Sequence, residues 1–542
     1  MHETVFDNLG QRTRLGVRVC LVVAVVFASS SLLFGRTVFQ EAPTTDAAKR
    51  ARDHFIQGTI LQIQGRRHAE AILEFQQSLR YDTSAITLGA IARSYAELRK
   101  YPLAIEYAEA SLQRDSALVS SWSLLAELRV AMGEYDAAIA AYENVVRLEP
   151  IRTHVLTLAR LVEPRNASRA IALYEQALTF GSDADILSRI AGLHSRLRDS
   201  HGFVRALQRV LEAEPTNDVA ARDLGVALAR ARQWPDVLAL LMQWSHADVV
   251  RDRQADVWIA VLDEIVSDTT MQYPDNRMTA TFVDRALERF ASVWPVCVLA
   301  GRLALLRDDD GRASRAFALA LRAAKLTPDA PIDVASAWLS AAQWRRGFDV
   351  LSQHAATFPT DPRFPYLMGF ACTAMSEDSA AVILFRHSVS LDSAFVPGWT
   401  QLALVSDNLG NAVEAEQAYQ QVLRIEPFNH LACNNLAYML ALQQRSLPLA
   451  RSLSWRAVQA MPSNPSYLDT HAWVLFQLGL PDEARRYIER AIQHGPSATI
   501  YEHYGDILEA IGLLDEAVRA WSEALRLDPE RHSAASRISR YR

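Results

Sequence analysis

Reactive side chains are scarce in this 542-residue chain. It has four cysteines, Cys20, Cys297, Cys372 and Cys433, and no two form a C-x-x-C pair. Zinc ribbons and dithiol redox motifs are therefore unsupported. Cys297, Cys372 and Cys433 read instead as small hydrophobes on helices. Glycine and proline number only 21 each, half the residues are hydrophobic and 22% are charged, as in folded protein. Positive charge is not in excess: 56 Lys and Arg stand against 62 Asp and Glu, a net of −6. That balance leaves no electrostatic footprint for nucleic acid.

Catalytic signatures are missing too. There is no Gly-rich phosphate loop, no H-E-x-x-H and no G-x-S-x-G elbow. The chain is read as no enzyme, with no catalytic residue, cofactor, metal or small-molecule substrate. His194 with His201, and His494 with His503, lack a Cys/His cluster at ligand spacing and read as surface or packing residues. Asp308, Asp309 and Asp310 before Gly311 lack the EF-hand pattern and read as a solvated turn. Asn166-Ala167-Ser168 matches a glycosylation acceptor, a pattern short enough to arise by chance.

One long uncharged run does occur. Arg12, Arg14 and Arg18 lie in a basic segment, residues 1–18, ahead of residues 19–35, which carry no charge until Arg36. That length lies at the lower edge of a membrane-spanning helix. It also fits a signal peptide, with Ala28-Ser29-Ser30 as small cleavage-site residues. Leu32, Leu33 and Phe34 continue the apolar run and argue against cleavage. The preceding arginines favour a cytoplasmic N-terminus, with the body of the protein outside. The expectation is a membrane anchor at residues 19–35, then a linker over residues 36–50.

Beyond the linker one pattern dominates. In VPGWTQLALVSDNLGNAVEAEQAYQQVLRIEPFN, residues 396–429, Trp399, Leu402, Ala403 and Ser406 recur at three- and four-residue steps on one helical face. Gly410 and Asn411 break the pattern and suit a tight turn. Ala415, Tyr419 and Val422 mark a second helix, which Pro427 stops. Ala403 and Ala415 let the two helices approach while Trp399 and Tyr419 fill the space between them. Such a pair cannot bury its apolar face alone, so it predicts copies of itself on either side.

The copies run from about residue 51 to Pro529. Trp122, Leu125, Ala126, Gly133, Tyr135, Ala138, Tyr142 and Pro150 make a clean unit. Pro164 shortens the next one, and Tyr501, Gly505, Gly512, Ala517, Trp521, Ala524 and Pro529 close the series. Residues 51–247 read as one array and residues 296–529 as another. Between them, residues 248–295 lack the small residues and the turn glycine and read as a divergent helical repeat. Residues 530–542 are polar, as a capping helix or tail must be.

This order of aromatic, Leu, small residue, Gly, small residue, aromatic and Pro resembles the tetratricopeptide repeat, a 34-residue helix–turn–helix. The fold class expected is all-α, a solenoid of about fourteen such units. Asn434 to Ala441 (NNLAYMLA) and Tyr467 to Gly479 (YLDTHAWVLFQLG) add a likeness to bacterial exported or membrane-attached members. The resemblance implies a right-handed superhelix whose first helices line a groove that binds protein partners. It also implies a non-catalytic scaffold at the cell envelope, membrane-anchored or, after cleavage, secreted or periplasmic. The alternative is an accessory subunit of an envelope biosynthetic enzyme or secretion complex.

Inward-facing steps of the last three first helices select Asn434 and Tyr438, then Asp469, Trp473 and Phe476, then Glu502, Asp506 and Glu509. Aromatic anchors beside an acidic flank suit a partner segment with apolar and basic residues. The other reading is packing between repeats for the aromatics and a solvated face for the acids. Three carboxylates on one helix face repel one another, and a basic partner would relieve them. The Lys/Asn combination with which some relatives hold a peptide carboxylate is missing from these helices.

Overall fold

The computed structural model describes residues 46–65, 67–246, 249–268, 270, 272–324 and 326–541. The anchor or signal peptide expected at residues 19–35 lies outside this range, as do the basic segment and most of the linker. No helix among the described residues is long and apolar enough to cross a membrane. The first helix, Asp46–Ile63, begins inside the span read as linker, which therefore ends earlier than residue 50. Every regular element among the described residues is helical, in fourteen successive pairs closed by the single helix His532–Ser539.

Two compact units divide the chain, one ending at Ala206 and one beginning at Leu207, inside the helix Ser200–Ala213. In the first unit, Pro164 follows the short helix Arg152–Val162, and Asn166 caps its partner by accepting from the Arg169 N–H. Phe75 fills the crossing with the first helix, where Gly58 leaves room for its ring.

The pair Val396–Asn408 and Ala412–Ile425, in the second unit, shows the local logic. Ala403, Ala415, Tyr419 and Val422 are all fully buried, so the small residues bring the backbones together around the tyrosine ring. Burial of a side chain of that size contributes roughly 1.5–3 kcal/mol. The Gly410 N–H donates to the Asp407 carbonyl at 2.9 Å and the Asn411 N–H to the Ser406 carbonyl at 2.8 Å, with Gly410 at φ +76°. This Schellman turn satisfies carbonyls that the helix end would otherwise leave open.

At equivalent crossings, small and large residues alternate in a fixed relation. Gly301, Gly369 and Gly505 lie under Phe317, Phe385 and Trp521, and a methyl group on any of these glycines would come within 3 Å of the ring. Alanine takes the same place in other repeats, as Ala403 does 16 residues before Tyr419 and Ala472 does 16 residues before Ile488, all four fully buried.

The divergent repeat consists of Arg251–Val266 and Asn276–Phe290. Its irregularity has a steric cause. Trp258, fully buried, stands where the other first helices carry glycine or alanine. The helices cannot close on an indole, and Trp258 instead reaches Phe290 across a ring-centroid distance of 5.9 Å. The Arg251–Val266 helix packs its backbone against Asp218–Arg230 and Trp294–Leu305. Gly225 accommodates that approach, because its missing Cβ would sit 2.5 Å from Val261.

Candidate recognition face

Three consecutive first helices, His430–Leu442, Pro465–Gln477 and Ala498–Ala510, carry the eight candidate residues. Each starts at a side-chain cap: Asn429 accepts from the Ala432 N–H, Asn464 from those of Ser466 and Tyr467, and Ser497 from that of Ile500. Such caps fix where the first helical turn begins. Asn434, Asp469 and Glu502 consequently occupy one equivalent position, one turn before Tyr438, Trp473 and Asp506.

The structure gathers Asp469, Trp473 and Tyr438 around a residue that the spacing did not single out, His503. Its Nδ1 lies 2.8 Å from an Asp469 carboxylate oxygen, with both side chains 9% exposed. The Trp473 ring stacks on the imidazole at 4.1 Å between centroids and 20° between planes. Tyr438 reaches the imidazole from the first helix two repeats upstream, at 6.2 Å, and Phe476 extends the stack 5.1 Å beyond Trp473. Burial, with the charges of Asp469 and Glu502, holds the Tyr438 phenol above its ordinary range. His503, read from the sequence as a surface or packing histidine, is thus the hub of the cluster. Opposite partners one repeat apart, 34 residues for His503 and Asp469, are the signal that would have found it.

Two polar atoms on this face have no hydrogen-bond partner among the described residues. Asn434 donates through Nδ2 to Asn435 at 3.0 Å, and Asn435 in turn donates to the Tyr419 hydroxyl at 3.1 Å. The Asn434 Oδ1 and the Trp473 Nε1 are both buried and both unsatisfied. Each such atom costs about 1–3 kcal/mol.

The acidic flank differs from expectation. Glu502, Asp506 and Glu509 do not face one another bare, because the chain's own C-terminal residues supply the basic partner. Arg531 and Arg537 each reach Glu502 at 2.7 Å, and Arg537 also reaches Asp506 at 2.7 Å. Glu509 accepts a hydrogen bond from the Tyr541 hydroxyl. Burial would push the Glu502 carboxyl up, but Ser533, Arg531 and Arg537 hold it below the usual carboxylate range. Asp506 goes the other way. Burial raises its carboxyl to about 6, against the opposing pull of Arg537 and of the Trp521 indole N–H, which donates to it at 3.0 Å.

Ser454 and His471 are hydrogen-bonded at 2.8 Å, the contact a nucleophile and its base would make. Both are sealed in the core, at 0% and 4% exposure, and the Tyr487 ring stands edge-on to the imidazole at 4.7 Å. Among the described residues no group of three or more His, Cys, Asp or Glu is placed to hold a metal ion.

Comparison with known proteins agrees with the helix pairs. Family models described as tetratricopeptide repeat match residues 119–152, 396–429 and 470–532. The TPR repeat-containing protein PA4667 of Pseudomonas aeruginosa is 28% identical over 104 residues, 19% of this chain and 18% of that relative. The chain thus spans under a fifth of the length of the curated relative it matches. Among solved structures, Naa15/Naa10 bound to HypK-THB matches at 15% identity and a TM-score of 0.40, over 80% of this chain and 67% of that one. The APC/C hetero-tetramer Cut9–Hcn1 matches at 14% identity and a TM-score of 0.33, over 84% and 89%. Pseudomonas aeruginosa pilF matches at 16% and 0.34, over 39% and 95%.

Proposed function

We propose that this chain, a tetratricopeptide-repeat protein, is a membrane-attached scaffold of the bacterial cell envelope. Its repeats make it a protein–protein interaction scaffold, and such scaffolds typically carry no catalysis. The placement at the envelope rests on the uncharged run at residues 19–35 behind Arg12, Arg14 and Arg18. Fractionation of the full-length chain beside a version starting at Gln40 checks it; cytoplasmic solubility of both would remove the envelope from the account.

Recognition is assigned to the face formed by Asn434, Tyr438, Trp473, Phe476 and His503. The observation that carries this reading is the pair of buried, unsatisfied atoms, the Asn434 Oδ1 and the Trp473 Nε1, on an aromatic surface. Native proteins rarely leave such atoms open. A partner segment that reseats the Trp473 ring brings a carbonyl to its N–H and an N–H to the Asn434 amide oxygen. The apolar rings contribute contact area, as aromatic anchors do at interfaces.

A pull-down from membranes with the full-length chain, compared with Trp473→Ala, tests this assignment. Partners should be depleted from the variant, with affinity for any one of them falling by about 2 kcal/mol or more. Identical partner sets for two equally folded proteins would leave the face as packing between repeats.

A further inference from the structure

The final helix, His532–Ser539, is only eight residues long and buries just Ala534 and Ile538 among its side chains. Those two side chains join the buried cluster of Leu508, Trp521 and Ala524, and polar contacts add to that seat. Arg531 bridges Glu502 and Thr499, Arg537 bridges Glu502 and Asp506, and Tyr541 closes over Glu509. Glu502 and Asp506 are mostly enclosed, with side chains 14% and 6% exposed. Buried carboxylates robbed of their cations are strongly destabilising. Anything that lifts the helix away must therefore bring positive charge of its own.

The recognition face is divided by this contact. Its upstream part holds Asn434, 7% exposed with an open Oδ1, and the unpartnered Trp473 Nε1. Its downstream part is already filled by guanidinium groups from a separate, short element. The Tyr438 ring lies 6.2 Å from that of His503, the residue after Glu502, so the two parts adjoin.

We propose that the downstream part is a docking site for an arginine-bearing segment of a partner protein, and that the chain's final helix is its resident competitor. This deepens the scaffold reading above and rests on it. The arginine spacing of the resident, Arg531 and Arg537, indicates what the site accepts: two guanidinium groups clamping one carboxylate, the second also reaching Asp506. A partner that carries such a pair and an apolar anchor for Trp473 occupies both parts together. The linked contacts reinforce each other without any new one, because the second forms at high effective concentration.

The test uses the full-length protein and a fluorescent synthetic peptide with the sequence of residues 529–541. Wild type should bind it weakly, since the tethered helix competes. Arg531→Ala/Arg537→Ala should bind at least about tenfold more tightly, with an affinity that falls as salt rises. Adding Glu502→Gln and Asp506→Asn should abolish the gain. In a second arm, excess peptide added to wild type should strip hydrogen-exchange protection from residues 532–539. The proposal is overturned if the folded double variant binds no better than wild type, or if protection of 532–539 is unchanged at the highest peptide concentration. Should the double variant unfold, the wild-type exchange arm decides alone. Failure of both arms, with Trp473-dependent partners still captured from membranes, removes the docking site and leaves the scaffold.

Discussion

Gly505→Ala is the sharpest perturbation of the packing rule in this chain. A Cβ at Gly505 would sit 2.3 Å from the Trp521 Nε1 and 2.4 Å from its Cδ1. Non-bonded heavy atoms settle at about 3.5–4.0 Å, so the indole must move by about 1 Å. It has little freedom to do so. Trp521 is fully buried, its N–H is held by Asp506 at 3.0 Å, and Tyr541 stacks on its ring at 6.1 Å. Overpacking of this kind costs about 1–3 kcal/mol, and a strained bond to Asp506 adds about 1 kcal/mol. Alanine's better helix propensity returns about 1 kcal/mol. The expected net loss is therefore about 1–3 kcal/mol.

Hydrogen exchange should show that loss within residues 498–539, because each repeat couples mainly to its neighbours. The same change in a Trp521→Ile background copies the Ala472–Ile488 crossing and should be neutral or stabilising. Equal cost in both backgrounds, or uniform loss of protection through the whole chain, would refute the reasoning.

Three further outcomes follow from the same structure. Asp506, raised to about 6 by burial, binds more protons folded than unfolded, so its contribution to stability falls as pH rises from about 4 to 6. His471, lowered to about 4 by burial and by Arg451, binds fewer protons folded and contributes stability that is lost as pH falls from about 6.5 to 4. The two slopes oppose each other. Asp506→Asn should therefore make stability rise with pH across this window, and urea melts at several pH values would show it; an unchanged profile would contradict the assignment. Ala342, exposed and at φ +57°, sits in the left-handed turn position that Gly410 occupies elsewhere. Ala342→Gly should stabilise by about 0.5–1 kcal/mol in thermal melts, since the left-handed conformation costs an L-residue about 1–2 kcal/mol. Trp258→Ala should cost about 3–5 kcal/mol through the cavity it opens, and a loss under 1 kcal/mol would mean the helices of that repeat can close on each other.

Much of this architecture was legible because a repeat states its rules many times. Ala403, Gly410, Ala415 and Pro427 in one unit identify the turn and the crossing, and the same steps recur elsewhere. The divergent repeat resisted because Trp258 reads as one more core aromatic; only its position, where a small residue is required, reveals what it does. The candidate face was half legible. Helical steps brought Tyr438, Trp473 and Asp469 onto one face but said nothing of His503, whose partners lie in neighbouring repeats. The acidic flank misled for the same reason. Glu502, Asp506 and Glu509 look repulsive along their own helix, whereas Arg531, Arg537 and Tyr541 reach them from the helix His532–Ser539 and its flanks. Contacts between repeats leave their trace at separations of about one period, beyond the span of a single helix.

The central claim is that a partner is held on the face of the first helices around His503, and photo-crosslinking tests it most directly. A photoreactive residue at Phe476, half-buried at the edge of the aromatic stack, is compared in the full-length protein with one at Val413, 70% exposed on a second helix. The account predicts a discrete protein adduct from position 476 that is lost in Trp473→Ala, with none from position 413. Adducts from position 413 alone, or an adduct from 476 indifferent to Trp473→Ala, would place recognition elsewhere on the chain.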